Sequence, residues 1–505
     1  MTRADEFEQA IIAWSEASRE DKAGMYDQFL WPEVRRRFAR HTPPAKTYDV
    51  LIIPVSNLHT ALLHIDHYRP TAAVFLFTER SFAENAERLR IESDECDVAY
   101  DDNGGLINES DTLSVYQAVR RAYAHYPDQR IAIDITGGTK AMSVGAAMAG
   151  AVLGLDSIYI ESKFDKGIQD RRPGTEQPHR LPDPYQTFGD IKRPRAFDFY
   201  RRHDYATAEE LFTELSRRVQ PPDQDASWAN LAKAYAAWDA FNLTRAADTL
   251  ERLRDNPARR SVLSDHEPRL REQVIALRRV QDLVGSQRPD RDDPKTWKGT
   301  KSFWKVTQQY QERQIQLLTR AHVVPSLLAM LYSAAQRRKD QDQLDSATLL
   351  LYRCLELMSQ QRLARYGGLT EYYKDLITTL GEKLGECDPN LEGRYEVARH
   401  KAKLDGLDFP KGKITLLNGY LLLQAVDDPF AIRCDLAAIQ DRTESRNENI
   451  LAHGFSFINP KEYQAFKTVV DTVIDYWCAA ERITWATYLD TCTFIVMSDL
   501  PPQAN

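Results

Sequence analysis

The chain is poor in cysteine, has no long apolar run and carries no excess of positive charge. Its six cysteines, Cys96, Cys354, Cys387, Cys434, Cys478 and Cys492, never form a C-x-x-C pair. That argues against a zinc module or a disulfide-stapled scaffold and predicts reduced, buried thiols. No apolar stretch approaches the roughly 20 residues of a membrane span. The opening Met1-Thr-Arg-Ala-Asp-Glu-Phe-Glu is acidic and polar, where a signal peptide is basic and then apolar. A cytoplasmic protein with no membrane partner is therefore expected. A formal net charge of −8 excludes the broad basic surface of a non-specific nucleic-acid coat and leaves room for a local basic site. No helix-turn-helix reader is evident, so DNA is not an expected partner. The phosphate-cradling GxxxxGK[ST] and the dinucleotide GxGxxG are both missing, which leaves triphosphate hydrolysis and NAD binding unsupported.

What is present is ordinary globular composition, 43% hydrophobic and 28% charged over 505 residues, enough for roughly three domains with their own cores. Helical spacing of Phe7, Ile11, Ile12 and Trp14, and later of Tyr26, Phe29 and Leu30, continues to a break at Thr42-Pro-Pro-Ala, so residues 1–45 read as a helical extension. Strand-length apolar runs then follow at Tyr48–Val55, Ala72–Phe77, more weakly near Cys96–Tyr100, at Ile131–Ile135 and at Ser157–Glu161, with helix-length segments between them. Such alternation predicts an α/β domain over 46–190, a parallel, doubly wound sheet covered on both faces.

Ligands of such sheets bind beyond the carboxyl ends of the strands. Ser56 and Asn57, Thr78 and Glu79, and Thr136, Gly137, Gly138, Thr139 and Lys140 all fall there and are the candidate ligand-binding residues. The last group is the most informative. Ile131 to Ile135 has the period of a strand, Thr136-Gly-Gly-Thr139 is turn chemistry, and Ala141 to Gly154 is a small-residue helical run. Two glycines let the backbone approach a ligand, Thr139 can cap the helix, and Lys140 sits in its first turn, where free N–H groups favour an anion. His64-Ile-Asp-His67, with His59 nearby, has helical spacing but no third well-placed metal ligand. A surface helix without metal is expected there.

From Arg171 to Tyr185 four prolines and a glycine read as a loop. Beyond Pro194 helical patterns take over. Tyr205-x-x-Ala208-x-x-Leu211-Phe212-x-x-Leu215 recurs thirty-eight residues later as Leu243-x-x-Ala246-Ala247-x-x-Leu250-x-x-Leu253, behind Asp204 and Asn242 respectively. Two tetratricopeptide-like copies are too few for a solenoid, so 191–320 reads as an all-α spacer. From 321 to 505 the chain reads as an all-α bundle, with long helices over Leu344 to Met358 and from Asn459-Pro460 onward. Inside it lies Ser445-Arg-Asn-Glu-Asn-Ile-Leu-Ala-His-Gly-Phe455. On a helix Arg446 and His453 would stand about two turns apart on one face, with Gly454 as terminator. Comparable arginine–histidine spacings occur at Arg120/His125, Arg172/His179, Arg259/His266 and Arg394/His400, but none has an asparagine directly after the arginine.

The run IDITGGTKAMS resembles the signature of the CARF domain, the Rossmann-like fold that senses cyclic oligoadenylates, and RNENILAHG is similar to the R-N-x-x-x-x-x-H form of the HEPN ribonuclease motif. A CARF signature followed by a HEPN signature is the arrangement of the Csm6-like and Csx1-like effectors of type III CRISPR systems. That resemblance implies a Rossmann-like CARF sensor, a helical spacer and a HEPN bundle. It further implies an endoribonuclease acting on single-stranded RNA through Arg446, Asn447 and His453. A cyclic oligoadenylate (cA4 or cA6) is implied as allosteric activator, with no cofactor or metal for catalysis and a homodimer as the working unit. Two other readings remain open: a CARF regulator without nuclease activity, and a sensor domain that also cuts its own ring through Thr136, Thr139 and Lys140.

Overall fold

Near-continuous apolar strands covered by helices on both faces organise the first part of the chain, and helices build the described residues of the second. The structure, a computed structural model, describes residues 3–219, 222–256, 262–286, 288–292, 302–384, 390–451 and 454–496. It divides into two units, Met1–Ile191 and Lys192–Asn505. Among the described residues no single helix is long and apolar enough to cross a membrane.

The first unit begins with α1 Arg3–Glu16, α2 Arg19–Met25 and, after a π-helical stretch Tyr26–Leu30, α3 Trp31–His41. There follow β1 Val50–Val55, α4 Leu58–Tyr68, β2 Ala72–Phe77, α5 Glu79–Glu95, β3 Ala99–Asp101, α6 Thr112–His125, β4 Ile131–Asp134, α7 Lys140–Leu153 and β5 Asp156–Glu161. A hairpin of β6 Phe164–Asp165 and β7 Asp170–Arg171 precedes β8 Gln177–Leu181 and the short α8 Pro184–Phe188. The sheet runs β3-β2-β1-β4-β5-β8, parallel except for β8, which pairs antiparallel with β5.

Alternation along β1 sends Leu51, Ile53 and Val55 to one face and Val50 and Ile52 to the other. The first face packs with Phe7, Ile11, Trp31, Val34 and Phe38 of α1 and α3. The second packs with Val115 and Val119 of α6 and Met142 and Ala146 of α7. Within the stretch 1–45, expected to form an extension, α1 and α3 therefore build one wall of the sheet domain. A second departure is β8. Its Pro178, opposite Ile160, marks the segment as a loop by sequence, but an edge strand tolerates a residue with no N–H to donate.

The second unit is all-helical: α9 Lys192–Arg201, α10 Tyr205–Arg218, α11 Pro222–Asp239, α12 Leu243–Asp255, α13 Glu267–Val284, α14 Phe303–Thr319, α15 Val323–Asp340, α16 Leu344–Arg365, α17 Tyr373–Lys383, α18 Leu391–Lys401, α19 Leu416–Ala425, α20 Leu436–Asn447, α21 Pro460–Glu481 and α22 Trp485–Cys492. The repeat seen in the sequence is real at the level of caps. Asp204 accepts from the Thr207 N–H and Asn242 from the Arg245 N–H, both at 3.2 Å. The boundary expected near 320 is not a break in packing, because one apolar core runs from Ala196 to Ile495. Tyr235 stacks on Phe494 at 4.0 Å, and the Tyr200 hydroxyl donates to the Ile495 carbonyl at 2.7 Å.

Candidate functional site

Two separate sets of residues carry chemistry, one in each unit. In the sheet unit β1 and β4 are neighbours, and the chain leaves them in opposite directions, toward β2 and toward β5. A crevice opens at such a switch point. Ser56 follows β1, and its Oγ accepts a hydrogen bond from the Gly138 N–H in the loop after β4. Asn57 caps α4 by accepting from the His59 N–H at 2.8 Å. Thr139 caps α7, accepting from the Met142 N–H at 3.3 Å and donating to the Glu109 carbonyl. Gly138 has φ +95°, and a Cβ there would press on Met142 at 2.9 Å, so the position requires glycine. Exposed Lys140 opens the helix, where its charge and the free backbone N–H groups favour an anion.

The remaining expected ligand residues are used differently. Glu79 is exposed at the start of α5, but Thr78 is buried and spends its hydroxyl in a capping box with Ser81. Gly137 is buried as well. Thr136 turns inward, its Oγ1 accepting from the Ile160 N–H at 2.8 Å. Ser56, Asn57, Thr139 and Lys140 thus converge at the rim, whereas Thr78 and Thr136 hold the rim in place.

Beneath this loop lies a pair that sequence reasoning missed. The expected surface helix is α4, which instead buries Leu58, Ala61, Leu62, Leu63, His64, Ile65 and Tyr68, because it packs over the sheet with three apolar turns. His64 and Asp134 are 0% and 1% exposed. His64 Nε2 lies 3.0 Å from Asp134 Oδ1 and 3.2 Å from Thr136 Oγ1, and Asp134 Oδ1 also accepts from the Thr136 N–H at 2.7 Å. With an acceptor-only carboxylate opposite, Nε2 carries the proton. The available signal was an aspartate inside the otherwise apolar Ile131–Ile135 run, which demands a buried partner. Burial pushes the neighbouring His59 and His67 below the ordinary imidazole range. Among the described residues no group of three or more histidines, cysteines or carboxylates could hold a metal.

In the helical unit α20 starts at Asp435, whose carboxylate accepts from the Ala438 N–H at 3.1 Å, and ends at Asn447. The helix expected to continue through residue 453 does not form. Asn449 is 2% exposed, its Nδ2 donates to Asp345 Oδ1 in the first turn of α16, and its Oδ1 accepts from the Leu451 N–H at 2.8 Å. The backbone folds back on itself, with Ser456 N–H donating to Glu448 O at 2.9 Å, Ile450 N–H to Ser456 O at 3.0 Å and Gly454 N–H to Asn449 O at 3.1 Å. Gly454 is accordingly not a helix terminator. A Cβ there would lie 1.9 Å from the Glu448 carbonyl oxygen, so glycine permits the close approach that closes the loop. His453 lies outside the described residues.

Arg446 is half-buried at the end of α20. Its guanidinium carbon sits 4.5 Å over the Tyr352 ring of α16, a contact worth about 0.5–2 kcal/mol depending on desolvation. Its Nη1 donates to Asn447 Oδ1 at 3.0 Å, while the buried Nε has no acceptor among the described residues. Burial and Glu356 push the Tyr352 hydroxyl up to about 12, against the opposing pull of Arg446, so the ring stays a neutral π-face. Helix α16 is itself fixed to α21. Arg362 Nε donates to Asp428 Oδ2 at 3.0 Å, and its Nη1 pairs with Glu481 of α21. Although burial alone would raise the Glu481 carboxyl, hydrogen bonds from Arg365 and Arg362 hold it below the usual range.

Residues 318–476, which include this loop, match the family described as the Csm6 HEPN domain. Residues 188–284 match the Csm6 6H domain, so the helices for which the sequence offered only a repeat spacing have a family of their own. The CRISPR system endoribonuclease Csm6 of Thermus thermophilus is 28% identical over 375 residues, covering 70% of this chain and 70% of that protein. Among solved structures, Enterococcus italicus Csm6 bound to cyclic hexa-2'-fluoro-hexa-dAMP is 13% identical, with a TM-score of 0.47 over 88% of this chain and 97% of that one. Can2 from Sulfobacillus thermosulfidooxidans in complex with cyclic tetra-adenylate is 14% identical, with a TM-score of 0.21 over 59% of this chain and 70% of that one.

Proposed function

The chain is a member of the Csm6 family, with a Rossmann-like CARF unit ahead of the 6H and HEPN helices, and from that premise we propose a cyclic oligoadenylate-activated endoribonuclease that cuts single-stranded RNA without metal. The observation that carries the reading is Arg446, fixed on Tyr352 beside Asn447 at the mouth of the 448–458 loop, within the segment that matches the HEPN family. RNA supplies the nucleophile. The 2′-oxygen bonds to the adjacent phosphorus as the bond to the 5′-oxygen breaks, leaving a 2′,3′-cyclic phosphate. Arg446 presents a permanently charged planar fork to the phosphate. His453 moves a proton at the 2′-hydroxyl or the leaving 5′-oxygen through its imidazole. Asn447 orients the phosphate through its amide.

Activation belongs to the switch-point rim of Ser56, Asn57, Thr139 and Lys140, where a ring of adenylates meets a lysine and a helix amino terminus. The working unit we propose is a cytoplasmic homodimer in type III CRISPR defence. Exposed Val144, Met148 and Val152 of α7 form an apolar stripe leading from the sensor loop, and exposed Ile450, Leu451, Phe455 and Phe457 crowd the nuclease loop. A second copy covers the α7 stripe.

One assay tests the reading: purified protein with labelled single-stranded RNA and each of the cyclic tri-, tetra- and hexa-adenylates. One ring should switch on cleavage that persists in EDTA, yields 2′,3′-cyclic phosphate ends, and fails on DNA or on RNA carrying a 2′-O-methyl at the scissile position. Ring binding without cleavage of any RNA makes the protein a regulator. Magnesium-dependent cleavage moves the chemistry elsewhere.

A further inference from the structure

We propose that Asp345 and Tyr352, a hundred residues upstream of the nuclease motif, are its positioning residues, which rests on the ribonuclease reading above. They stand seven positions apart on α16 and so share one face, about two turns from one another. An aspartate in the first turn of a helix ordinarily does no more than complement the helix dipole. Asp345 does more. Its Oδ1 accepts from Asn449 Nδ2 and from the Ile458 N–H at 2.9 Å.

Asn449 and Ile458 are the two ends of the segment that contains position 453, so a single carboxylate oxygen closes its base. Removal of that oxygen leaves the amide of a residue only 2% exposed without its acceptor, and a buried donor left unpaired is expensive. Seven residues along, the Tyr352 ring carries the Arg446 guanidinium. Both halves of the motif, the arginine and the loop bearing the histidine, are therefore referenced to one helix. That helix is in turn pinned to α21 and to Asp428 by Arg362. In-line attack is sensitive to displacements of about 1 Å, which a loop tethered only to itself would not hold.

The test compares paired variants of the full chain with saturating activator. Asp345→Ala removes the acceptor, while Asp345→Asn keeps an oxygen in its place. Tyr352→Leu removes the π-face, while Tyr352→Phe keeps it. Asp345→Ala and Tyr352→Leu should each lower kcat by about tenfold or more with RNA KM little changed, and the two conservative variants should stay within about threefold of wild type. Hydrogen–deuterium exchange supplies a readout independent of activity: amides across 448–458 should exchange faster in Asp345→Ala than in Asp345→Asn, with α21 unchanged. Wild-type kcat in both disruptive variants overturns the proposal, as does unaltered exchange in Asp345→Ala. A wild-type protein that cuts no RNA refutes the ribonuclease reading, and the exchange comparison still decides whether Asp345 holds the loop. A misfolded Asp345→Ala leaves the decision to Tyr352→Leu against Tyr352→Phe.

Discussion

Replacing His64 by leucine should unsettle the sensor loop from below. The histidine and Asp134 are 0% and 1% exposed and 3.0 Å apart, so solvent screening takes little from their attraction. Removing one partner of such a buried pair costs about 3–5 kcal/mol, mostly because the other charge is left uncompensated. In a unit of this size each kcal/mol lowers the melting midpoint by about 2–4 °C, which puts His64→Leu roughly 10 °C below wild type. The Asp134 carboxylate would keep the Thr136 N–H at 2.7 Å and lose the His64 Nε2 donor. Because one atom on each side, His64 Nδ1 and Asp134 Oδ2, is buried without a partner among the described residues, the pair is not optimally satisfied, and discharging the aspartate should recover much of the loss. The double variant His64→Leu/Asp134→Asn should therefore be more stable than His64→Leu alone, with a coupling energy of about 2 kcal/mol. Calorimetric melts of the four proteins in the cycle measure it. A single-variant loss below about 1 kcal/mol, or additive losses in the double variant, would refute the view that this pair holds the loop.

Four further outcomes follow. His453→Ala and Arg446→Ala should each abolish RNA cleavage while binding activator as wild type does, because the expected activator residues belong to the sheet unit; Arg446→Ala should also cost about the 0.5–2 kcal/mol of its contact with Tyr352, and a variant that binds activator and cuts at the wild-type rate would remove its residue from the site. Lys140→Ala should weaken activator binding in calorimetry and raise the activator concentration needed for cleavage, with the maximal rate unchanged; equal affinity would take Lys140 out of the pocket. The Glu481 carboxyl is depressed in the folded protein, so its contribution is present above the unfolded value of about 4.3 and is lost as pH falls through the folded value. Thermal midpoints should therefore fall more steeply from pH 5 to pH 3 in wild type than in Glu481→Gln, and parallel slopes would show that this carboxylate is not linked to folding. Finally, Met148→Asp should shift the protein toward monomer in light scattering, and an unchanged mass would free the α7 stripe from any part in assembly.

Much of this architecture is legible in the chain because local rules act unopposed there. The strands at Ala72–Phe77 and Ser157–Glu161, the cap at Thr139 and the Asn459-Pro460 start of α21 all follow from periodicity and capping chemistry. What escapes is whatever depends on a partner far along the chain. Arg446 to His453 has the composition of a helix, but the helix ends at Asn447, where Asn449 instead finds Asp345, 104 residues away. The chain after Asn449 then returns to lie on Glu448. Likewise α4 reads as polar from its three histidines. Yet His64 is buried because Asp134, seventy positions on, supplies what burial requires. The proline-rich 171–185 segment hides β8, since a strand at the sheet edge is exempt from the rule that proline breaks pairing. Both chemical sites thus lie where a local preference is overruled by a long-range polar contact.

The exposed apolar residues extend this pattern, and their energetics bear on how the two motifs would act together. Val144, Met148 and Val152 recur every four residues along α7 and are 50–62% exposed, a spacing that aligns them on one helical face. At about 25 cal/mol per Å² of apolar surface, covering three such half-exposed side chains in each of two copies gains on the order of 5 kcal/mol. Association alone costs an estimated 4–15 kcal/mol in lost freedom. The stripe by itself is therefore marginal. The nuclease loop presents further exposed apolar surface in Phe455, 93% exposed, with Ile450, Leu451 and Phe457, and covering it would add to a gain that the stripe alone leaves near the low end of that cost. In the proposed homodimer a two-fold interface repeats a patch on both copies, and a dimer held at the α7 stripes alone would be weak. A ligand can strengthen such a dimer only by its differential affinity for it, so the weaker the apolar contact, the more of the association cost the activator must supply.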